Sequence, residues 1–219
     1  MSKPYTRLDK NNAAVLLVDH QAGLLSLVRD FDPDRFKNNV LALADLARYF
    51  ELPTILTTSF EDGPNGPLVP ELKQIFPNAP FIARPGQINA WDNEDFVRAV
   101  KATGKKQLVI AGVVTEVCVA FPTLSALAEG FEVFVVTDAS GTFNEVTRDA
   151  AWSRMATAGA QLMNRDLAAA SPNSGFLART DRLLAETGAL AEHVFHDDLR
   201  GCLAGHLIRR CRARRWCSA

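Results

Sequence analysis

The stretch Gln107-Leu-Val-Ile-Ala-Gly-Val-Val-Thr-Glu-Val-Cys-Val-Ala-Phe-Pro-Thr-Leu-Ser-Ala-Leu127 decides the fold. Leu108 to Ala111 reads as a buried strand, Gly112 as a small-residue turn, and Thr115-Glu116 as the opening of a helix. Cys118 then falls in the first helical turn, just past the strand. Two effects there favour a thiolate: the helix dipole, and backbone N–H groups that have no helical partner. A strand–turn–helix elbow carrying a nucleophile needs a base and a cation beside it before it becomes a mechanism. A lone cysteine can equally be a small buried hydrophobe.

Working outward, the same alternation recurs. Ala13-Ala-Val-Leu-Leu-Val is a continuous apolar run that stops at Asp19, as strands buried on both faces do. Residues 34–50 show helical spacing, with Phe36, Val40, Leu43 and Leu46-Ala47 on one side. Thr54-Ile-Leu-Thr-Thr is a second strand, followed by the turn-rich Glu61-Asp-Gly-Pro-Asn-Gly-Pro. After a short helix near Glu71, Phe81-Ile-Ala is a third strand ending at Arg84-Pro-Gly. Residues 92–103 form a helix with Asp92 as N-cap and Gly104 as its stop. Glu132-Val-Phe-Val-Val-Thr is a fifth strand, 144–158 a helix, and Ala160-Gln-Leu-Met a sixth strand. Strands joined through helices by short connections predict an α/β fold with a mostly parallel, about six-stranded sheet covered on both faces. Ligands bind such sheets at the carboxyl ends of the strands. Asp19, Arg84 and Cys118 all lie there.

Each of the three has a plain structural reading, as helix cap, surface cation or packed thiol. Together they support acyl-transfer chemistry. Asp19 would take the thiol proton and return it to a leaving group, and Arg84 would supply a fixed positive charge.

These residues carry a resemblance. Leu16-Leu-Val-Asp-His-Gln21, a basic residue after the third strand, and Ala111-Gly-Val-Val-Thr-Glu-Val-Cys-Val119 resemble the isochorismatase-like cysteine hydrolases, most closely their YcaC-type branch. Asn89-Ala-Trp-Asp-Asn-Glu-Asp-Phe96 and Asp138-Ala-Ser-Gly-Thr-Phe-Asn144 match as well, and the likeness runs from about residue 8 to 163. It implies a three-layer Rossmann-like sandwich and an Asp–Lys–Cys triad, with Asp19 and Cys118 at their places and Arg84 where the family has lysine. Lysine can lose a proton when buried and arginine cannot. Proton transfer would then fall to Asp19 and water. The resemblance further implies a cis peptide between Val113 and Val114 that turns the Val114 N–H, with that of Cys118, toward an oxyanion. It implies a substrate pocket lined by His20 and Gln21, with Asn89 and Trp91 as a wall. Structural roles are open for His20 and for Trp91. It also implies a homo-oligomer, an octamer of stacked rings.

Metal is not expected. Related nicotinamidases hold a divalent ion with an Asp and two histidines near the second strand's end, whereas the histidines here are at 20, 193, 196 and 206 and Ser59-Phe-Glu-Asp62 offers no imidazole. No cofactor is expected either, since no GxGxxG follows a strand. A phosphatase-like use of Asp19 lacks a second carboxylate for magnesium. The remaining rivals are an idle scaffold that keeps the fold, and a peroxide-sensing thiol without a nearby resolving cysteine.

The 219 residues are 47% hydrophobic and 22% charged with a net charge of −1, which gives no reason to expect nucleic acid or a membrane surface as partner. The expected partner is a small-molecule substrate. No apolar run approaches a membrane span and the first residues lack the core of a signal peptide, so the expected compartment is the cytoplasm, with cysteines 118, 202, 211 and 217 as free thiols. The whole chain is read as one hydrolase domain, 1–219, with an atypical tail. From residue 164 there is no lysine and nine arginines against six acids, and the chain closes on an Arg–Cys–Trp run. Such a tail is either a genuine divergence or a segment translated out of frame.

Overall fold

The computed structural model describes residues 6–165. The readings of the tail, and of Cys202, Cys211 and Cys217, lie outside them. Six strands form one parallel sheet: β1 (Ala13–Val18), β2 (Thr54–Ser59), β3 (Phe81–Arg84), β4 (Gln107–Gly112), β5 (Glu132–Val136) and β6 (Gln161–Met163), in the order β3-β2-β1-β4-β5-β6. The helices between them are α1 (Ala22–Leu25), α2 (Pro33–Tyr49), α3 (Pro70–Ile75), α4 (Glu94–Ala102), α5 (Ala120–Ala128) and α6 (Glu145–Ala158). No helix among the described residues is long and apolar enough to cross a membrane.

Every residue of β1, β2 and β4 is buried, which is why these strands read as apolar runs without alternation. α2 packs with α3, and α5 with α6. Right-handed crossovers put the first pair on one face of the sheet and α4 to α6 on the other. α2 starts where Pro33 sits at its first position and the Asp32 side chain accepts the Arg35 N–H at 2.9 Å. It buries Phe36, Val40, Leu43, Ala44 and Ala47 against the sheet. Gly159, at φ 105°, ends α6 in the left-handed conformation that favours glycine.

Two local expectations are corrected. The N-cap of α4 is Asn93, whose side chain accepts the Phe96 N–H at 3.0 Å; Asp92 instead ends a 3-10 turn over 90–92. The helix after β4 does not begin as a regular turn either. Thr115–Val119 is a π turn, with Val119 N–H reaching the Val114 carbonyl at 3.3 Å, and α5 starts only at Ala120. Pro122 accounts for this. It has no N–H for the Cys118 carbonyl, and in a tight α-helix its ring would press on that carbonyl. The wider turn relieves both demands.

The register places the site. Val18 pairs with both Thr57 and Gly112, and Ser59 pairs with Arg84, so β1, β2, β3 and β4 finish close to one level. Between β1 and β4 the strand order reverses, and the flanking layers part there to leave a crevice at the carboxyl ends. Gly112 is required at that point: a Cβ would lie 2.4 Å from the Val18 carbonyl oxygen.

Candidate active site

Asp19 follows β1 with φ at 57°, a left-handed conformation that Asp tolerates better than most residues. Its N–H is held by the Thr57 carbonyl at 2.9 Å. The side chain is fully buried, and Oδ1 receives the Arg84 guanidinium in an ion pair with no solvent exposure on either side. Arg84 comes from the end of β3 and crosses over β2 to reach it. On the way its Nε donates to Thr57 Oγ1 at 3.0 Å, while Thr57 donates onward to the Ile82 carbonyl at 2.8 Å. The remaining terminal nitrogen donates to the carbonyls of Gln87 and Ile88. Cys118 sits on the π turn at 9% exposure, a free thiol. It lies within hydrogen-bonding reach of Asp19, whose Oδ2 has no partner of full hydrogen-bond geometry.

The electrostatics reverse one expectation. Burial pushes the Cys118 thiol well above the ordinary range, and the charge and hydrogen bond of Asp19 push the same way. The Val114 N–H and the Arg84 charge favour the thiolate but do not overcome this. The resting sulfur is therefore protonated. Burial, with a carboxylate beside the sulfur, outweighs what a helix end offers. Asp19 is itself raised, since desolvation outweighs the pull of Arg84, and a raised carboxylate is a stronger base.

The other singled-out residues divide. The Val113–Val114 peptide is cis, and the Val114 N–H acts on the Cys118 sulfur. His20 is completely buried, with Nε2 3.1 Å from the Ala139 carbonyl and Nδ1 unpartnered. Gln21 is buried too. Its amide donates to the carbonyls of Ser59 and Gly66 and accepts the Ser59 N–H at 2.9 Å, fastening the loop after β2 to the end of that strand. Asn89 caps the 3-10 turn through Trp91 N–H and reaches Ser125 Oγ at 3.2 Å. Trp91 donates to Glu129 at 2.8 Å and packs edge-on against Phe96 and Phe131. His20 and Gln21 directly follow Asp19, whereas Trp91 lies at the far end of α5 from Cys118, against Glu129 and Phe131. Among the described residues no three His, Cys, Asp or Glu side chains gather to hold a metal ion.

Sequence reading missed Glu116 and Thr142. Thr142 donates to Glu116 Oε2 at 2.6 Å, and its own N–H is held by Asp30 Oδ1 at 2.8 Å, which ties the π turn to the loop after β5. An acid two residues before the cysteine was the available signal, but its partners are far apart in sequence.

His20 has a measurable consequence. Burial lowers its pKa from 6.5 to about 4. As pH falls through 6.5 the unfolded chain takes up a proton that the folded protein refuses until about 4. The stability this neutral ring contributes is whole above pH 6.5 and is lost on going down to 4, by ~3 kcal/mol for the full shift. Denaturant unfolding at steps across that window is expected to show the loss in wild type. His20→Gln, which can still donate to Ala139, should show less of it. Parallel pH profiles would refute the assignment.

The sheet order thus brings an Asp, a buried cation and a Cys together at the switch point. The isochorismatase domain model matches residues 13–166, and the chain belongs to the isochorismatase family of hydrolases. Within it the chain is similar to YcaC. It is 82% identical over 163 residues to the Escherichia coli protein described as "Probable hydrolase YcaC", covering 74% of this chain and 78% of that one. The structure of YcaC from Pseudomonas aeruginosa, with hexane-2,5-diol and covalent acrylamide, superposes with a TM-score of 0.74 at 84% identity over 75% of this chain and 81% of that one. The E. coli YcaC crystal structure, described as an octameric hydrolase of unknown specificity, gives a TM-score of 0.81 at 68% identity over 94% of this chain and 98% of that one.

Proposed function

We propose that this protein hydrolyses a small amide-type C–N bond through a thioester on Cys118. The observation that carries the reading is the buried triad itself: a thiol beside a carboxylate whose Oδ2 is unpartnered and whose Oδ1 is held by Arg84. As sulfur attacks the carbonyl carbon, Asp19 Oδ2 takes the thiol proton. The oxyanion is received by the N–H groups of Val114 and Cys118. Asp19 then gives its proton to the departing nitrogen, the C–N bond breaks, and ammonia or an amine leaves a thioester behind. Water attacks the thioester while Asp19 accepts its proton. The acid departs and the sulfur regains the proton from Asp19. Arg84 keeps its charge throughout and orients the carboxylate. The P. aeruginosa relative is described with covalent acrylamide, an adduct of the kind a nucleophilic thiol forms. His20 and Gln21 belong to the pocket's floor in this reading, and Asn89 to its rim. The test is a screen of small amides for ammonia release, with Cys118→Ala as control; release that persists in the variant sinks the reading.

Two further elements belong to it. The chemistry needs a reduced thiol, which fits the cytoplasm. The assembly is a homo-oligomer: Leu27, Phe143 and Val146 are exposed large apolar side chains just after α1 and at the start of α6, segments joined by the Arg29 N–H on the Thr142 carbonyl, and the E. coli relative is described as octameric. Light scattering is expected to give a multiple of the 23.9 kDa chain, an octamer by that likeness, and Val146→Glu to lower it. A particle of one chain's mass would refute this.

A further inference from the structure

We propose that this site selects uncharged substrates and rejects carboxylates and other anions; the inference rests on Cys118 as the nucleophile. Its ground is the way Arg84 spends its hydrogen bonds. A guanidinium has five N–H donors in a fixed fork. Here Nε is given to Thr57, one terminal nitrogen to the carbonyls of Gln87 and Ile88, and the other to Asp19. One N–H remains. Clamping a carboxylate in the usual bidentate way takes two parallel N–H groups, so an incoming anion must strip Arg84 from Asp19 or from the loop after β3. Either exchange leaves a buried polar group unpaired.

The surroundings point the same way. Asp19 already places an anion at the sulfur, and a second one beside it would be repelled with little solvent to screen it. His20 supplies no countercharge, because its ring is neutral with Nε2 engaged by Ala139. The charges that act on Cys118 are those of Asp19 and Arg84, which oppose each other. Of the segments Arg84 binds, one carries the exposed Ile88; the residue whose N–H rests on the Arg84 carbonyl is the exposed Phe60. Acids follow at Glu61 and Asp62. The segments bound to Arg84 thus carry exposed apolar side chains, with acids following them in the chain. A neutral amide with an apolar substituent meets no unpaired charge, and an amide bearing a carboxylate does.

The experiment compares two alkylating reagents of nearly equal size, iodoacetamide and iodoacetate, on the full-length protein. Peptide mass spectrometry isolates the label on Cys118 from that on the other cysteines. Each rate is divided by the rate of the same reagent with a free thiol at the same pH. The normalised preference for iodoacetamide is expected to be on the order of 100-fold, as like-charge juxtaposition in a desolvated site implies. Asp19→Asn, which removes the resident anion, is expected to narrow the preference. Equal normalised rates in wild type would overturn the inference and leave the nucleophile reading intact. A normalised preference for iodoacetate would overturn it as well; the nucleophile reading is judged separately, by whether ammonia release is lost in Cys118→Ala.

Discussion

Cys118→Ala is expected to abolish turnover, with folding and assembly intact. The residue is small, alanine fits its space, and the only interactions removed are those of the thiol with Asp19 and the Val114 N–H. What is lost is the atom that forms the covalent bond, and no neighbouring group replaces it: Asp19 is held by Arg84, and water in so closed a site has no better base. Asp19→Asn should be less complete. It keeps the shape but removes the acceptor for the thiol proton, and loss of a positioned base costs on the order of 10²–10⁴-fold. It also leaves Arg84 facing an uncharged partner, so thermal unfolding must be followed alongside the rate. Once a substrate is found by ammonia release, wild-type turnover in Cys118→Ala would end the mechanism. Unchanged turnover in Asp19→Asn would remove Asp19 from it while leaving the sulfur in place.

The second large effect is structural. Arg84→Ala strands the Asp19 carboxylate in a fully buried position and deprives Thr57, Gln87 and Ile88 of their donor. Breaking a buried pair from one side costs about 3–5 kcal/mol, a large share of the stability of an ordinary domain. The expected result is little folded protein, or a midpoint of denaturation far below wild type. A double replacement, Asp19→Leu with Arg84→Met, removes both charges and fills the space. It is expected to recover much of the stability and none of the activity. Such a pair is maintained for chemistry and not for the fold. If the double variant were as unstable as Arg84→Ala, the pair would be a structural element first. Arg84→Lys separates charge from geometry. Lysine keeps the cation but lacks the fork that holds Asp19, Thr57 and two carbonyls together, so the fold should survive better than with alanine.

Much of this was readable in the chain. A continuous apolar run ending in Asp19, and another ending in Gly112 with Cys118 beyond, can only be buried parallel strands delivering polar residues to one edge. Arg84 was readable for the same reason, at the end of a short third strand. What escaped was whatever depends on contacts between distant segments. That Gln21 would bind the backbone at Ser59, or that His20 would be walled in beside Ala139, follows from the register of β1 against its neighbours and leaves no periodic trace. The π turn was missed although Pro122 announced it, because the apolar pattern of the helix runs on through the proline. The thiol's protonation state was misjudged because position on a helix is visible in sequence and desolvation is not. Asp92 and Asn93 are both good caps, and only the packing of Trp91 on Phe96 and Phe131 decides between them.

The protonated, 9%-exposed sulfur also bears on how long the molecule lasts. Peroxide and disulfides attack thiolates that solvent can reach, and oxidation beyond the sulfenic state is mostly irreversible. A sulfur that stays a thiol until Asp19 takes its proton during attack on a substrate offers such reagents very little. The features that make Cys118 sluggish at rest therefore act as a preservative. At a given level of oxidant, corrosion of the site should track how often it stands open.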